Sequence, residues 1–328
     1  MSTRYPCNHG WKFRCIDDEA CAQVGYDDAS WDVIDIPHTL TELPMQYCDD
    51  RSYASIGWYR TRIKVPEGHL RLRFEGVGTA CKVYLNGVFA AEHIGSYTPF
   101  TVTVPRELIT DDSLLIALRC DAAEHPDIPP FGHVVDFLVP GGIYREVNLL
   151  VSDPVMIEDV FITSRPELSP TYRDARVEVI ASTMSQRDGP AKVTLNLFDD
   201  QHHQCAYAEQ EFHASPMVMH LPIGPVRLWD IESPNLYTLE VHLRTAGSED
   251  SYTVRTGFKD CVFTAKGCVL NGRIVKLRGL NRHQCYPYVG YAMPWRQQYR
   301  DIEFLKHELH LNCYRASHYP QSSHVLDR

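Results

Sequence analysis

The sequence lacks several patterns that would assign it to a familiar class of protein. It holds no apolar run long enough to span a membrane, and its first ten residues contain no apolar core of a signal peptide. It has no glycine-rich phosphate-binding motif, and its eleven cysteines are scattered without a C-x-x-C pair. These absences argue against a membrane protein, a nucleotide-binding protein and a disulfide-stabilised secreted domain. We therefore expect a cytoplasmic protein with reduced thiols.

The sequence also has fewer basic than acidic residues. The 328 residues include 32 Lys and Arg against 42 Asp and Glu, which gives a formal net charge of -10. Such a chain is not attracted to nucleic acid or to an anionic membrane, so we expect neither as a partner. The hydrophobic content of 44% is that of an ordinary globular protein, and the length allows two or three domains.

Two histidine-rich segments do not match a metal site. Residues 307–310 read His-Glu-Leu-His, which is one residue too short for the zinc motif H-E-x-x-H. The segment His202-His203-Gln204-Cys205 is typical of a solvated loop. We expect no metal site and no cofactor in this chain, and a divalent metal site would need residues downstream of Arg328.

The first 150 residues alternate apolar and polar side chains with the period of two that is typical of strands. The alternation is clearest in residues 58–65, 70–75, 81–85 and 100–104. In the first of these segments we place Tyr59 toward the core and Arg60 on the opposite face. Asn86-Gly87 predicts a hairpin turn. The pattern predicts an antiparallel sandwich over residues 1–152.

A second β-rich domain is predicted over residues 153–258. The alternation continues in residues 175–181 and 193–197, with turn-rich breaks at residues 188–190 and 233–235. About seven short strands in this length are typical of an immunoglobulin-like sandwich. The disulfide and tryptophan spacing of antibody domains is absent, so only the architecture is predicted.

The last segment, residues 259–328, changes character. A hairpin at residues 269–273 precedes a strand that runs into residues 281–283, and apolar residues then recur at helical spacing from 295 to 309. Pro294 is well placed to begin this helix. A short buried strand near residues 311–314 follows. Strand, helix and strand in this order predict the beginning of a (β/α)8 barrel, whose few elements would leave an apolar face uncovered.

Polar side chains follow both predicted barrel strands. Asn281-Arg282-His283 ends the first strand, and Arg315, Ser317 and His318 end the second, where Pro320 prevents the strand from continuing. Adjacent parallel strands would bring both groups to the face where barrel enzymes carry their sites. Each histidine alone could simply hydrogen-bond a neighbouring loop. Two histidines and two arginines at successive strand ends instead favour a binding site.

The segment that carries these residues resembles glycoside hydrolase family 2, which includes β-galactosidases, β-glucuronidases and β-mannosidases. The match runs through residues 312–320, which read Asn-Cys-Tyr-Arg-Ala-Ser-His-Tyr-Pro. Upstream, segments at residues 57–60, 136–137 and 141–145 resemble parts of the family's sugar-binding domain. The resemblance implies a mainly β fold, with a jelly-roll sandwich, an immunoglobulin-like sandwich and the incomplete start of a TIM barrel.

The resemblance also implies roles for individual residues. Asp136, His283 and His318 would contact sugar hydroxyls, with a solvated loop carboxylate as the alternative for Asp136. Arg315 would hold the catalytic carboxylates by charge-assisted hydrogen bonds, with Asn281 and Arg282 in supporting positions. Arg145 is expected to be structural. The chain departs from the family where Gln284-Cys285-Tyr286-Pro287 replaces a histidine-acidic pattern.

A retaining glycosidase needs two carboxylates, an acid/base and a nucleophile. In this family both lie on later barrel strands, and no acidic residue of this chain occupies a matching position. We therefore expect the chain to be a fragment of a longer enzyme, or an incomplete gene product, and to be inactive alone.

The favoured function is the N-terminal part of a retaining exo-β-glycosidase that acts on terminal β-linked sugars. It is most like β-galactosidase, because Asn281 stands where the glucuronidase branch usually has a glycine. A β-glucuronidase or β-mannosidase remains an alternative, as do a non-catalytic carbohydrate-binding sandwich and a structural interaction module. The expected partner is a β-linked saccharide, and a homo-oligomer is left open.

Overall fold

The computed structural model describes residues 2–44, 54–129, 137, 139–164, 173–183 and 191–328. The fold is mainly β and divides into two compact units, each built from two segments that are separate in the sequence. One unit joins Met1–Thr3 to Ser152–Arg278, and the other joins Arg4–Val151 to Gly279–Arg328. The boundaries predicted at residues 152 and 258 therefore stay predictions. No helix within the described ranges is both long and apolar enough to cross a membrane.

The segment Arg4–Val151, which we call the jelly roll, is a sandwich of a six-stranded antiparallel sheet and a four-stranded sheet. Its strands are β1 (Thr3–Pro6), β2 (Trp11–Arg14), β3 (Asp32–Ile34), β4 (Ile56–Lys64), β5 (His69–Phe74), β6 (Ala80–Leu85), β7 (Val88–Ile94), β8 (Phe100–Val104), β9 (Ser113–Asp121) and β10 (Val147–Ser152). The strand orders are β3-β2-β4-β9-β6-β7 and β1-β10-β5-β8. Short 3-10 helices lie at Glu19–Ala22 and Arg106–Leu108. Alternating side chains of both sheets, among them Leu72, Val83 and Leu118, form one fully buried core.

The Asn86-Gly87 turn joins β6 to β7, as the sequence predicts. Both residues have positive φ, 46° and 83°, which is the conformation required in a type I′ hairpin turn. The Asn86 side chain also accepts a hydrogen bond of 2.9 Å from the backbone N–H of Leu115 on β9. The turn therefore stabilises a neighbouring strand as well as its own hairpin.

Arg60 lies on the face of β4 opposite Tyr59, as the sequence predicts, but this face is covered at Arg60 and not open to solvent. The Arg60 side chain is 2% exposed, and its Nε donates to Asp28 Oδ2 at 2.7 Å. The cause is a second apolar cluster in which Cys21 and Trp31 pack against Trp58 on that face. Burial acts to raise the pKa of Asp28, but hydrogen bonds from Arg60 and a neighbouring lysine outweigh it and hold the pKa low.

The segment Ser152–Arg278 contains the second sandwich. Its strands are β11 (Val155–Ser164), β12 (Arg173–Thr183), β13 (Ala191–Phe198), β14 (Gln204–Phe212), β15 (Met217–Ile223), β16 (Tyr237–Arg244) and β17 (Glu249–Thr256). They form sheets of order β11-β12-β15 and β14-β13-β16-β17 around a common apolar core, which confirms the immunoglobulin-like architecture. A small sheet follows, with β18 (Cys261–Thr264), β19 (Gly267–Leu270) and β20 (Arg273–Val275).

The segment Gly279–Arg328, which we call the barrel segment, has the strand, helix and strand order that the sequence predicts. It contains β21 (Gly279–Arg282), helix α1 (Trp295–Glu303), a π-helical turn (Phe304–Glu308), β22 (Cys313–Ala316) and α2 (Ser323–Asp327). The two strands pair in parallel, with Asn281 opposite Arg315. A Cβ at Gly279 would lie 2.5 Å from the Cys313 carbonyl oxygen, so the close approach of the strands requires glycine there.

The strand β22 is only half-buried, whereas the sequence predicts a buried strand. Its residues Cys313 and Tyr314 have intermediate exposure, because β21 is the one strand that pairs with β22 in the described part of the chain. Apolar side chains around it remain in solvent, with Leu280 52% and Phe304 46% exposed. This exposure confirms the expected uncovered apolar face.

Candidate sugar-binding site

The two predicted site histidines lie next to each other. His283 follows β21 and His318 follows β22, and the parallel pairing of these strands places the imidazole centroids 5.5 Å apart at an interplanar angle of 88°. Both residues are exposed. The Phe137 ring lies 5.5 Å from His283 and 5.9 Å from His318. The site therefore presents two polar rings beside one apolar ring.

A cavity of about 470 Å³ opens between β21 and α1. Its lining consists of Leu280, Asn281, Arg282, His283, Gln297, Arg300, Asp301, Phe304 and Leu305. Within the described residues, Asp301 is the single carboxylate of this lining, and Gln297 donates to its Oδ1 at 3.3 Å. The cavity offers groups that can bind a polar ligand, but it lacks a carboxylate pair for double displacement.

Arg282 contributes to the cavity lining, but its side chain is buried and hydrogen-bonded within the barrel segment. The residue is 6% exposed, and its Nε and Nη2 both donate to Asp301 Oδ2, at 3.1 and 2.9 Å. Its Nη1 donates to Gln321 Oε1 at 2.5 Å. Arg282 therefore connects β21 to α1 and to the segment after β22.

Gln284, which the sequence marks as a departure from the family pattern, is a buried connector. Its backbone N–H donates to the Tyr319 hydroxyl at 2.9 Å, and its Oε1 accepts from the backbone N–H of Ser322 at 3.2 Å. Its Nε2 donates to the Tyr291 carbonyl oxygen at 3.4 Å. A carboxylate could not make this last bond, because an ionised side chain has no N–H or O–H to donate. The glutamine is thus matched to its surroundings.

An aromatic cluster packs behind the two histidines, and sequence reasoning missed it. Tyr97 of the jelly roll stacks on Tyr319, with centroids 4.6 Å apart and planes within 4°, while Tyr144 contacts Tyr291. Burial raises the pKa of Tyr97 to about 12 and raises the pKa of Tyr319. These hydroxyls are therefore protonated near neutral pH. Their positions are too far apart in the sequence for any local pattern to connect them.

Arg145 and Glu146 of the jelly roll reach the segment that follows His318. Arg145 is 7% exposed, and its Nη2 donates to the Pro320 carbonyl oxygen at 2.7 Å. The adjacent Glu146 Oε1 lies 2.9 Å from His324 Nε2. Arg145 is thus structural, as the sequence predicts, but its contact is made with the barrel segment.

Of the remaining predicted site residues, the structure describes Asn281 and Arg315 but not Asp136. Asn281 and Arg315 are exposed and lie opposite each other on β21 and β22. Asp136 lies outside the described residues. Over the ranges that the structure describes, no group of three or more His, Cys, Asp or Glu side chains is arranged to hold a metal ion.

Comparison with known sequences assigns the family of this chain. The model described as "Glycosyl hydrolases family 2, sugar binding domain" matches residues 22–153. The model "Glycosyl hydrolases family 2" matches residues 155–259, and its TIM barrel domain model matches residues 263–328. The chain belongs to glycoside hydrolase family 2.

Similar proteins cover nearly the whole chain. A β-galactosidase of Thermoanaerobacterium thermosulfurigenes is 36% identical over an alignment of 333 positions, which covers 98% of this chain and 46% of that protein. A putative β-glucuronidase of Formosa agariphila is 32% identical over an alignment of 309 positions, which covers 92% of this chain and 37% of that protein. The structure of a Bacteroides uniformis β-glucuronidase superposes on this chain with a TM-score of 0.90 and 26% sequence identity. The match covers all of this chain and 41% of the β-glucuronidase chain. The chain spans less than half the length of these relatives.

Proposed function

We propose that this chain forms the sugar-binding part of a retaining exo-β-glycosidase that is most like the β-galactosidases. The observation that carries the proposal is the pair of exposed imidazoles, His283 and His318, held 5.5 Å apart at the ends of adjacent parallel strands. Imidazole nitrogens donate and accept hydrogen bonds, so two of them at right angles suit a ring of hydroxyl groups. The adjacent Phe137 ring provides an apolar surface for the C–H face of a sugar.

The other residues serve this contact. Arg282 holds the end of β21 in place, while Asn281 and Arg315 face the region where later barrel strands would bring the two catalytic carboxylates. Arg315 orients those carboxylates by charge-assisted hydrogen bonds. Asp136 is a further proposed sugar contact. Since retaining hydrolysis needs both carboxylates about 5–5.5 Å apart, the 328 residues alone bind without hydrolysing.

A β-glucuronidase is the second candidate. Proteins of that name are found among the relatives in sequence, with 32% identity, and among the similar structures, with a TM-score of 0.90. The residue that favours a β-galactosidase is Asn281, and the relative with 36% identity carries that name. The sugar at the site decides between the two.

The test is hydrolysis of a chromogenic aryl β-galactoside and an aryl β-glucuronide by the whole protein, with the isolated 328 residues as the matched sample. We expect the whole protein to prefer the β-galactoside and to release the sugar first as the β-anomer, and the isolated chain to release none. Preference for the β-glucuronide would establish the second candidate. Failure to hydrolyse either substrate, or turnover by the isolated chain, would refute the proposal.

A further inference from the structure

Residues 317–322, which we call the His318 turn, are fixed from two sides. From the barrel segment, the Arg282 carbonyl oxygen accepts from the Ser317 N–H at 3.0 Å, and Gln284 accepts from the Ser322 N–H. From the jelly roll, Tyr97 and Arg145 contact the middle of the turn. His318 itself is exposed, so its position depends on how firmly these neighbours are held.

Arg145 connects both parts of the jelly-roll contact. Its Nη1 donates to the Tyr97 carbonyl oxygen at 3.2 Å, and its Nη2 donates to the Pro320 carbonyl oxygen at 2.7 Å. The rings of Tyr97 and Tyr319 are the stacked pair of the aromatic cluster. One guanidinium therefore holds the backbone of Tyr97 and the backbone of the residue that follows Tyr319. It bridges the two sides of the stack.

The chemistry of this contact requires arginine. A guanidinium is a planar fork with several N–H donors, whereas a lysine ammonium is a single point that cannot reach both oxygens in the same geometry. The hydrogen-bond partners that the structure describes for Arg145 are all carbonyl oxygens, and its buried Nε has none. Burying a cation in this way is costly for stability. The contact is therefore explained by the groups that it positions and not by a gain in stability.

We propose that Arg145 is a positioning residue for the sugar site. Arg145 fixes the position of His318 through its hydrogen bond to the Pro320 carbonyl oxygen and through the stacked rings of Tyr97 and Tyr319. The jelly roll thus determines the position of a site residue that it does not itself carry. The inference rests on the proposed sugar contact of His318. Arg145 itself touches neither the sugar nor the catalytic groups.

The first test measures His318 directly in the whole protein. The variants are Arg145→Met, Arg145→Lys and Tyr97→Leu, with Arg60→Met as a matched loss of a buried jelly-roll arginine. We expect Arg145→Met and Tyr97→Leu to move the imidazole NMR resonances of His318 and to speed amide exchange at Ser317 and Ser322 about tenfold. Arg145→Lys should restore part of the change.

The control separates positioning from general destabilisation. Arg60→Met removes one of the two cations that pair with Asp28 and should lower the melting temperature, yet it should leave the His318 resonances in place. All variants are compared at a temperature where circular dichroism shows them folded, and Tyr97→Leu carries the test if Arg145→Met does not fold. Unchanged His318 resonances in both Arg145→Met and Tyr97→Leu, or the same shift in Arg60→Met, would overturn the proposal.

The second test is kinetic and distinguishes this inference from the proposed function. In the whole protein, Arg145→Met should lower kcat/KM about tenfold, mainly through kcat, with partial recovery in Arg145→Lys. If His318→Ala were silent in the same assay, the sugar contact would be wrong, while an Arg145-dependent His318 resonance would still stand. If His318→Ala lowered activity and Arg145→Met did not, only the positioning role would be lost.

Discussion

In the jelly roll, most of β9 and residues 57–61 of β4 are buried on both faces, while β21 and β22 of the barrel segment leave much of their surface in solvent. Leu118 on β9 is fully buried, whereas Leu280 on β21 is 52% exposed. The difference follows from the number of neighbours, because a two-stranded parallel sheet covers little of its own apolar surface. A closed sandwich can stabilise itself, and the barrel segment relies on contacts from outside its own sheet.

Those contacts come from the jelly roll and converge near the candidate site. Tyr291 and Tyr319 are the large buried aromatics of the barrel segment, and they pack against Tyr97 and Tyr144. The histidines therefore belong to the barrel segment, which is more exposed, and the residues packed behind them belong to the jelly roll, which is more buried. The comparison shows that residues beside a two-stranded sheet can be held by contacts from a neighbouring sandwich.

Truncating one leucine in each region is expected to give the largest contrast. Leu118→Ala should lower the free energy of unfolding by roughly 2–5 kcal/mol, because it leaves a cavity in a closed core. Leu280→Ala should cost less than about 1 kcal/mol, because half of its side chain is already in water. Urea unfolding followed by circular dichroism measures both. Equal losses would show that the barrel segment is covered in solution.

The exposed histidines should matter for activity and little for stability. In the whole protein, His318→Ala should cost roughly 1–3 kcal/mol of transition-state stabilisation, or about one to two decades in kcat/KM. His283→Ala should behave similarly, because sugar contacts strengthen as the ring approaches its oxocarbenium-like state. His202→Ala, in a loop of the other unit, is the control and should leave kcat/KM unchanged. Indistinguishable kinetics for His318→Ala and His202→Ala would remove His318 from the site.

A smaller effect of pH should be confined to the jelly roll. His38 is largely buried, with Nδ1 3.0 Å from the Tyr59 hydroxyl, and burial lowers its pKa from 6.5 to about 4. Between pH 6.5 and pH 4 the His38 side chain is therefore protonated in the unfolded chain and neutral in the folded chain. The contribution of His38 to stability is fully present above pH 6.5 and is lost as the pH falls toward 4. Between pH 7.5 and 5.5 the loss should be about 1 kcal/mol.

His38→Gln isolates this effect, because a glutamine can still bond the tyrosine hydroxyl but does not titrate. Urea unfolding of both proteins at the two pH values gives the comparison. The variant should lose less stability on acidification than the parent. A parallel decline in both would assign the pH dependence to other groups.

Local signals predicted much of the architecture. The Asn86-Gly87 turn, the alternation along β5 and the parallel pairing of β21 with β22 all depend on residues that are close in sequence or on a simple strand order. The burial of Arg60 could not be read in the same way, because it depends on the segment around Trp31 that covers β4. The half-buried state of β22 likewise depends on how many strands pair with it.

The sequence by itself determined which residues reach the ends of the barrel strands, since strand periodicity and Pro320 place His283 and His318 there. Only the tertiary structure decided what surrounds them. It buried Arg282 and Gln284 as connectors and brought Arg145 and the aromatic cluster from the jelly roll to the His318 turn. The physical reason is that periodicity is a local property of the chain, whereas packing joins residues far apart in sequence, for which no local pattern exists.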